Sequence, residues 1–555
     1  MSNNKNETGG VGLAQASTQK KISFFSAILV VMGSSIGAGI FFKSKTVLDS
    51  SQSSLVLAIF CWIIAAASVI GMALALVEIS SARNDNLSML GWTKVFNSRT
   101  TFKASKNFMF YIYLPLTYFF MPLYVILSLQ DGLGALLNQD ANFGTNVDWI
   151  IWTLISLAIS GYFIYVSGIS SRIGNIQNSI VTYIKFIPLA AIAIIGFVLV
   201  GLNAGGTISA GTVPPTTGPD NNTIVNSIEA GGVLQTFAPG IGIFLSVAAI
   251  FFAYDGFYVA AGIQSEMAQP QKTPIAILFG LLITTGIYLA VSIAMSINGG
   301  DFFGMQDAMK VAFGDDAGRV IFGVINLMIA IGVIGIINGF AMWAPRFTED
   351  LIKEGELPFS LKYKDKLNDN RPLVGIMYSF AISIPIVILF TLIGALGYID
   401  TANYGSSYGT GMASLYSFAD LMGTWTAVFA FGFIMLSIYG GLKNRKTKKV
   451  QTDAKSYFKV AAIISIVSVS LSLAVNILMP IIDLFLLSQV NSMTVQILGN
   501  DYVALVVSRV MLVITLLIFF VLSYGPTVIE DWINTKKFGS IEKYEAWQRE
   551  TFVVS

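Results

Sequence analysis

The sequence has no histidine, a single cysteine and few charged residues, and each shortage excludes some kinds of protein. Without histidine the chain lacks the commonest proton shuttle and metal ligand, and it cannot form a Ser-His or Cys-His catalytic pair. Cys61 has no second cysteine with which to form an intrachain disulfide. No phosphate-binding GxxxxGK[ST] motif is present either. We therefore expect no enzyme, no bound metal or cofactor, and no pump driven by nucleotide hydrolysis.

Charge is scarce and apolar side chains are abundant. Charged residues make up 12% of the 555 residues and hydrophobic residues 54%, whereas soluble domains carry about 25% charged residues. The formal net charge of +2 provides no basic field for nucleic acid. The composition predicts an integral membrane protein whose main contacts outside the chain are lipids.

Twelve apolar runs are long enough to cross a bilayer, which requires roughly 20 residues per helix. Together these runs predict an all-α polytopic membrane protein with twelve transmembrane helices. We number them as spans one to twelve. They lie near 24–47, 54–80, 107–131, 147–168, 177–202, 236–263, 274–297, 318–344, 373–397, 413–441, 457–485 and 502–524.

The basic residues are distributed unevenly between the two sides of this arrangement. Roughly 26 of the 33 Lys and Arg fall on the side of the termini and about four on the other side. The connections 203–235 and 398–412 contain neither Lys nor Arg, whereas 443–449 holds five of them. By the positive-inside rule both termini are predicted to be cytoplasmic, in a protein of the cell membrane.

Two spans contain polar, glycine-rich interruptions. Residues 33–39 of span one hold three glycines and two serines, and span six carries Asp255 next to Gly256. A helix in lipid must satisfy its own backbone, so such breaks are costly unless the freed groups line a cavity or bind something. The two breaks lie five spans apart, as expected for an inverted repeat of five helices plus five.

A broken helix offers opposite charges to a ligand. The half-helix after the break presents free N–H groups that attract a carboxylate, and the half before it presents carbonyls suited to an ammonium group. This chemistry suits an amino acid. The alternative is that Gly33, Gly37 and Gly39 only allow neighbouring helices to approach closely.

The order and spacing of several motifs resemble the amino acid-polyamine-organocation superfamily of permeases, over most of the first ten spans. The stretch 33–42 is similar to the glycine-rich unwound segment of that family, and 252–257 to its break in helix six. Further similar segments are 172–175 (RIGN), 185–188 (KFIP), 266–274 (EMAQPQKTP), 332–346 and 354–358 (EGELP).

The resemblance implies a LeuT-type fold, a 5+5 inverted repeat with discontinuous helices 1 and 6 plus two peripheral helices. The expected division is a disordered cytoplasmic tail, a ten-helix core of two repeats, helices 11 and 12, and a cytoplasmic C-terminal tail. Their ranges are 1–21, 22–442 (22–202 and 236–442), 443–525 and 526–555. The glycine-rich, proline-containing stretch 203–235 is expected to be an irregular external loop.

By the same resemblance the N–H groups of Ala38 and Gly39 would receive the substrate carboxylate, and Phe252 would be an aromatic gate. The family often has Ser at the position of Ala38 and an acidic residue at that of Tyr258, so carboxylate binding would rest more on backbone and the proton-linked step is open. The predicted substrate-binding residues are Ser34, Ser35, Ile36, Gly37, Ala38, Gly39, Tyr118, Phe252, Ala253, Tyr254, Asp255, Gly256 and Asn338.

Ionisable residues inside spans are costly and therefore indicate function by default. Lys185 in span five could snorkel to the interface, but the resemblance implies a fixed cation that bridges helix one to helix eight in place of sodium. Asp255 could contact a cationic substrate, titrate during transport or cap the broken helix. Arg509 lies outside the ten-helix core and is expected to be structural or to contact lipid.

We therefore predict a secondary transporter, a permease that moves amino acids across the membrane by alternating access. It would be independent of sodium and either proton-coupled or an exchanger. A polyamine or organic cation transporter is the alternative within transport. An ion channel or receptor-like membrane protein is the alternative of another class. The specific substrate and the oligomeric state stay open.

Overall fold

The computed structural model describes residues 23–37, 39–83, 87–206, 221–258, 267–368, 371–401 and 404–552. In chain order the helices are α1 (Phe24–Ser35), α2 (Gly39–Ser50), α3 (Leu55–Ser80), α4 (Met89–Phe96), α5 (Arg99–Leu137), α6 (Asp148–Ile169), α7 (Ser171–Gly201), α8 (Asn221–Glu229), α9 (Val233–Phe237) and α10 (Pro239–Ala253). They continue with α11 (Thr273–Ser296), α12 (Met305–Phe313), α13 (Asp315–Lys353), α14 (Ser360–Tyr363), α15 (Leu373–Gly397), α16 (Met412–Thr447), α17 (Phe458–Leu487), α18 (Ser492–Leu498), α19 (Asn500–Phe538) and α20 (Ile541–Thr551).

The spanning helices follow from long apolar sequences with polar ends. Helix α3 is apolar and long enough to cross a membrane, and the Ser54 hydroxyl caps its first turn by accepting from the N–H of Leu57. A serine in this place satisfies one of the N–H groups that a helix start leaves free. The prediction of an all-α polytopic membrane protein is confirmed.

The described residues contain ten helices long and apolar enough to cross a membrane, and α1 with α2 makes an eleventh, broken span. Predicted span six is represented by α10, which is apolar but only 15 residues long. Residues 259–266, which complete that span in the prediction, lie outside the described residues. The count of twelve therefore stays a prediction.

The bundle is organised around α13, which packs against α5, α6 and α7. The two halves of the broken span have different neighbours: α1 packs on α11, whereas α2 packs on α10. Both parts of span one thus pack on helices of the second predicted repeat, and the predicted breaks of spans one and six lie against each other.

The stretch 203–235 is predicted to be an irregular loop. Its described part instead contains helix α8 and the start of helix α9. Arg509 and Asp483, side chains 1% and 0% exposed, form an ion pair with an Nε–Oδ2 distance of 3.3 Å. The Arg509 guanidinium also donates to the Ile228 carbonyl of α8, and Asp483 accepts from the N–H of Val233. This pair holds the two short helices on α17 and α19, so Arg509 is structural and does not contact lipid.

A second buried polar group lies at the end of the bundle that carries α20, and we call it the lysine–glutamate cluster (Lys103, Lys106, Glu356, Glu530). The Lys103 ammonium lies 2.7 Å from Glu356 and 3.0 Å from Glu530. The Lys106 ammonium donates to the Glu356 carbonyl at 2.7 Å. The cluster joins α5, α19 and the loop after α13 by paired charges.

Helix α20 closes over that same loop. The Gln548 side-chain amide donates to the carbonyls of Glu354 and Gly355 at 2.9 and 3.2 Å. The Phe552 ring packs so closely on Gly355 that a β-carbon there would lie 2.7 Å from it. The segment predicted as a C-terminal tail therefore folds back on the bundle.

Candidate functional site

The break in span one lies where the sequence concentrates glycine and serine. Helix α1 ends at Ser35, Ile36 takes up an extended conformation (φ −79°, ψ 102°), and α2 begins at Gly39. The two segments are bent by 61° relative to each other. The bend frees the terminal carbonyls of α1, as the prediction of a broken helix requires. Ala38 lies outside the described residues.

The break in span six follows α10 directly. Residues 254–258 form turns, and Gly256 has φ +99°, a conformation that favours glycine because it has no β-carbon. A β-carbon on Gly256 would lie 2.7 Å from the Ser34 carbonyl oxygen, and one on Gly39 would lie 2.5 Å from the Ala253 Cα atom. Both glycines are therefore needed for the two breaks to touch.

Tyr288 of α11 contacts both breaks with one hydroxyl group. Its oxygen lies 2.9 Å from the carbonyl oxygen of Ser35 and 2.8 Å from that of Ala253. The N–H of Gly37 donates to the same oxygen at 3.3 Å. The Tyr288 hydroxyl is thus a shared partner of Ser35 at the end of α1, Ala253 at the end of α10 and Gly37 in the span-one break. Sequence reasoning missed this residue.

Lys185 of α7 reaches the other side of the span-one break. Its ammonium donates to the carbonyls of Gly33 and Ile36 at 2.8 and 3.2 Å. Its β-carbon packs on α13, where a β-carbon at Gly332 would lie 3.4 Å away. The side chain therefore lies between α1 and α13 and does not extend to the interface.

Asp255 is held by groups of its own break and of α5. It accepts from the Tyr113 hydroxyl at 2.7 Å and from the N–H of Gly256 at 3.0 Å, and Tyr113 is also 3.2 Å from the Tyr258 hydroxyl. The contacts hold the carboxylate at the break, and its use for a cationic substrate, for titration or as a helix cap stays a prediction.

Phe252 lies among aromatic rings and one cation. Its ring centroid is 5.6 Å from that of Phe120 and 5.9 Å from that of Tyr124, and the Lys43 ammonium lies 4.8 Å from it. Lys43, which is fully buried, forms an ion pair with Asp420 of α16 at 2.7 Å. Tyr124 donates to the same carboxylate at 2.7 Å. This buried pair lies next to the predicted aromatic gate.

A cavity of about 200 Å³ adjoins this pair, on the side of the bundle where the connections lack basic residues. Phe42, Ala249, Ile329 and Thr424 line it from α2, α10, α13 and α16. In the described part of the chain, its acidic lining residues are Asp49, Asp131, Asp301 and Asp420, and one lysine, Lys45, lines it. Among the described residues no group of three or more Cys, Asp or Glu is arranged to hold a metal ion.

The remaining predicted residues fall in two groups. Ser34 donates to the Val31 carbonyl, and Tyr254 is 2.8 Å from the Thr285 hydroxyl of α11, so both belong to the breaks. Asn338 donates to the Gly174 carbonyl and accepts from Ser167, which joins α13 to α6 and α7.

Tyr118 is buried against the Phe340 ring, and its hydroxyl has no hydrogen-bond partner within the described ranges. The structure does not bring Asn338 or Tyr118 to the breaks. A role of either residue in substrate binding stays a prediction.

The sequence contained signals for part of what was missed. Lys43 and Asp420 are charges inside predicted spans one and ten, and the cost of a charge in lipid marks them in the same way as Lys185. Tyr288 gave no such signal, because a single tyrosine in an apolar helix is ordinary. Only the fold brings its hydroxyl to the breaks.

The spanning helices, the paired breaks and the polar groups between them define a membrane transporter built on discontinuous helices. The family model described as "Amino acid permease" matches residues 22–500. The chain belongs to this amino acid permease family. The predicted superfamily is thereby confirmed, and so is the prediction that the chain is not an enzyme, because the family and its named relatives are transporters.

Three relatives illustrate the range of similarity. An uncharacterized protein of Mycoplasma pneumoniae is 49% identical over 95% of this chain and 97% of its own length. The serine/threonine exchanger SteT of Bacillus subtilis is 23% identical over 67% of this chain and 77% of its own. The human b(0,+)-type amino acid transporter 1 is 23% identical over 62% of this chain and 66% of its own.

Among solved structures, a mutant of the Eremococcus coleocola manganese transporter aligns with TM-score 0.48 at 13% identity, over 92% of this chain and 97% of that chain. MhsT in complex with L-phenylalanine aligns with TM-score 0.43 at 13% identity, over 83% and 98%. Likenesses at this level do not bear on substrate or mechanism. Family and relatives together support a secondary transporter of amino acids.

Proposed function

We propose that the protein carries amino acids by alternating access without using sodium. The observation that carries this proposal is the position of Lys185, whose ammonium donates to the Gly33 and Ile36 carbonyls while its stem lies against α13. Carbonyls freed by a helix break attract a cation. A covalently attached ammonium supplies that charge permanently, so no coupling ion has to bind there.

The test is uptake by purified protein in liposomes. Labelled amino acid uptake is expected to be equal in sodium and choline media, and Lys185→Met should lower it at least tenfold. Lys310→Met is the matched control, because the Lys310 side chain is 30% exposed on α12 and forms its ion pair with Asp307 of the same helix. Uptake that needs sodium in the unaltered protein, or Lys185→Met activity equal to that of the control, would contradict the proposal.

The zwitterion would bind where the two breaks meet, with its carboxylate toward the start of α2 and its ammonium toward the free carbonyls. Support comes from the geometry: the breaks touch at Gly39 and Gly256. Phe42 of α2 and Ala249 of α10, three and four residues from the helix ends at the breaks, line the cavity. The N–H of Gly37 already donates to Tyr288. Carboxylate binding therefore falls to the amides that follow it in the chain.

The charge of the cavity favours cationic substrates. Asp420 is paired with Lys43 and Asp301 is 3.7 Å from Lys45. Over the residues that the structure describes, four carboxylates and one lysine line the cavity. An excess of acidic groups raises the local concentration of cations. Lysine, arginine and ornithine should therefore compete better than acidic amino acids against a labelled substrate.

Two alternatives remain as outcomes of these assays. Strong competition by polyamines together with weak competition by neutral amino acids would favour the polyamine transporter. Failure to accumulate substrate against its gradient under any imposed gradient would favour a channel. Uptake that requires amino acid inside the liposome would favour exchange over proton coupling.

We also propose the orientation and organisation predicted from the sequence. Both termini would be cytoplasmic in the cell membrane, with 22–442 as the ten-helix core and 443–525 as helices 11 and 12. The asymmetry of Lys and Arg supports the orientation. A cysteine introduced at Ser540, labelled only after the membrane is permeabilised, is the expected result of an accessibility test.

A further inference from the structure

The Tyr288 side chain contacts both helix breaks. Within the described residues, no side chain of the predicted site forms hydrogen bonds to the backbone of both breaks. The Tyr288 hydroxyl oxygen lies within 2.9 Å of the last carbonyl of α1 and the last carbonyl of α10. The final carbonyls of a helix have no partner within the helix. In a membrane interior such groups need another donor.

The ring is fixed in place by its neighbours. Its centroid lies 5.6 Å from the Trp62 ring and 5.1 Å from the Tyr254 ring. The Trp62 indole N–H donates to Ser292, four residues after Tyr288 on α11. Tyr254 bonds to Thr285, three residues before Tyr288. One face of α11 therefore holds the phenol and aims its hydroxyl between the breaks.

The hydroxyl has one proton for two acceptors. A phenol donates once, and its oxygen can also accept, as it does from the N–H of Gly37. At any moment it donates to the Ser35 carbonyl or to the Ala253 carbonyl, and the other carbonyl keeps a free lone pair. The contact ties α1 to α10 and still leaves one acceptor at the breaks for a further donor.

We infer that Tyr288 is a positioning residue of the transport site. Its hydroxyl sets the spacing of the two breaks and, by sharing one proton, keeps one terminal carbonyl open to the ammonium group of the substrate. This inference rests on the proposed function for the identity of the ligand. The spacing of the breaks does not depend on that identity.

The test compares Tyr288→Phe with Tyr502→Phe. Each change removes one hydroxyl that donates to a carbonyl at a helix end and keeps the ring, but Tyr502 lies on α19 and donates to the Leu487 carbonyl at the end of α17, away from the breaks. For Tyr288→Phe the KM of uptake is expected to rise about tenfold, as expected for the loss of two hydrogen bonds, with Vmax changing less than threefold. Tyr502→Phe should keep the KM within threefold of the unaltered protein.

A second readout needs no substrate. Hydrogen exchange of the segment 33–42 should become at least tenfold faster in Tyr288→Phe, because the Gly37 amide loses its acceptor, and should stay unchanged in Tyr502→Phe. An unchanged KM together with unchanged exchange would overturn the inference, and so would equal effects of the two variants. If the unaltered protein takes up no amino acid but exchange changes as expected, the proposed substrate fails and the positioning of the breaks stands.

Discussion

The helix breaks and the lysine–glutamate cluster are both polar regions in a largely apolar bundle, but they are built from different groups. At the breaks, backbone carbonyls meet one ammonium and one phenol, Lys185 and Tyr288. In the cluster, two lysines meet two glutamates, and the Lys103 and Lys106 side chains are 5% and 3% exposed. Paired charges satisfy one another, whereas the breaks retain unfilled acceptor capacity. The lysine–glutamate cluster therefore suits a fixed contact between helices, and the breaks suit a binding site whose partners change.

The largest expected effect comes from removing one charge of the cluster. Glu356→Gln leaves Lys103 and Lys106 buried with Glu530 as their only acidic partner in the cluster. Breaking a buried ion pair on one side costs about 3 kcal/mol or more. We expect the free energy of unfolding, measured by SDS titration in mixed micelles, to fall by about that amount. The KM of uptake should not change.

Asp307→Asn is the control for this change, because that carboxylate is 88% exposed and pairs only within its helix. Its free energy of unfolding should stay within about 0.5 kcal/mol of the unaltered protein. Equal effects of the two variants would mean that the cluster does not join the helices.

Low pH should weaken the stabilisation that the lysine–glutamate cluster provides. Burial alone would raise the pKa of Glu356, but the charges of Lys103 and Lys106 outweigh it and lower the pKa from 4.5 to about 2. A carboxylate with a lowered folded-state pKa stabilises the protein above its unfolded pKa, and this contribution is lost as the pH falls toward the folded value. The stability difference between the unaltered protein and Glu356→Gln should therefore shrink between pH 4.5 and pH 2. A difference that stays constant over this range would contradict the assignment.

A change at the breaks should affect transport more than stability. Gly39→Ala puts a β-carbon 2.5 Å from the Ala253 Cα atom, so α2 and α10 must separate. Overpacking of this kind costs about 1 to 3 kcal/mol. We expect at least a tenfold loss of uptake. Gly33→Ala is the matched control, because its β-carbon would meet nothing within 4 Å, and activity close to normal in both variants would show that the breaks need not touch.

The smallest effect is expected where α20 is attached. Gln548→Ala removes hydrogen bonds to the Glu354 and Gly355 carbonyls and should cost about 1 kcal/mol. Limited proteolysis should then cleave within 540–552 faster, with uptake unchanged. Equal cleavage rates would show that the amide contributes nothing to docking.

Much of the fold could be predicted because long apolar runs indicate membrane-spanning helices. The helices α3, α6, α11, α15 and α17 begin and end within a few residues of the predicted spans. The breaks could also be predicted, since glycine, serine and a carboxylate at mid-span conflict with the need to satisfy backbone in lipid. Where sequence signals were local, as at Ser35 and Gly256, the structure agrees with the prediction.

Other features depend on partners far away in the chain. The sequence alone determined that this is an all-α membrane protein, that spans one and six carry breaks, and that Lys185 needs an explanation, because each follows from the cost of polar groups in lipid. Only the tertiary structure decided that Tyr288 serves both breaks, that Lys43 pairs with Asp420, and that Asn338 joins α13 to its neighbours. These contacts join residues of different helices that are far apart in the chain. A local sequence pattern cannot predict such contacts.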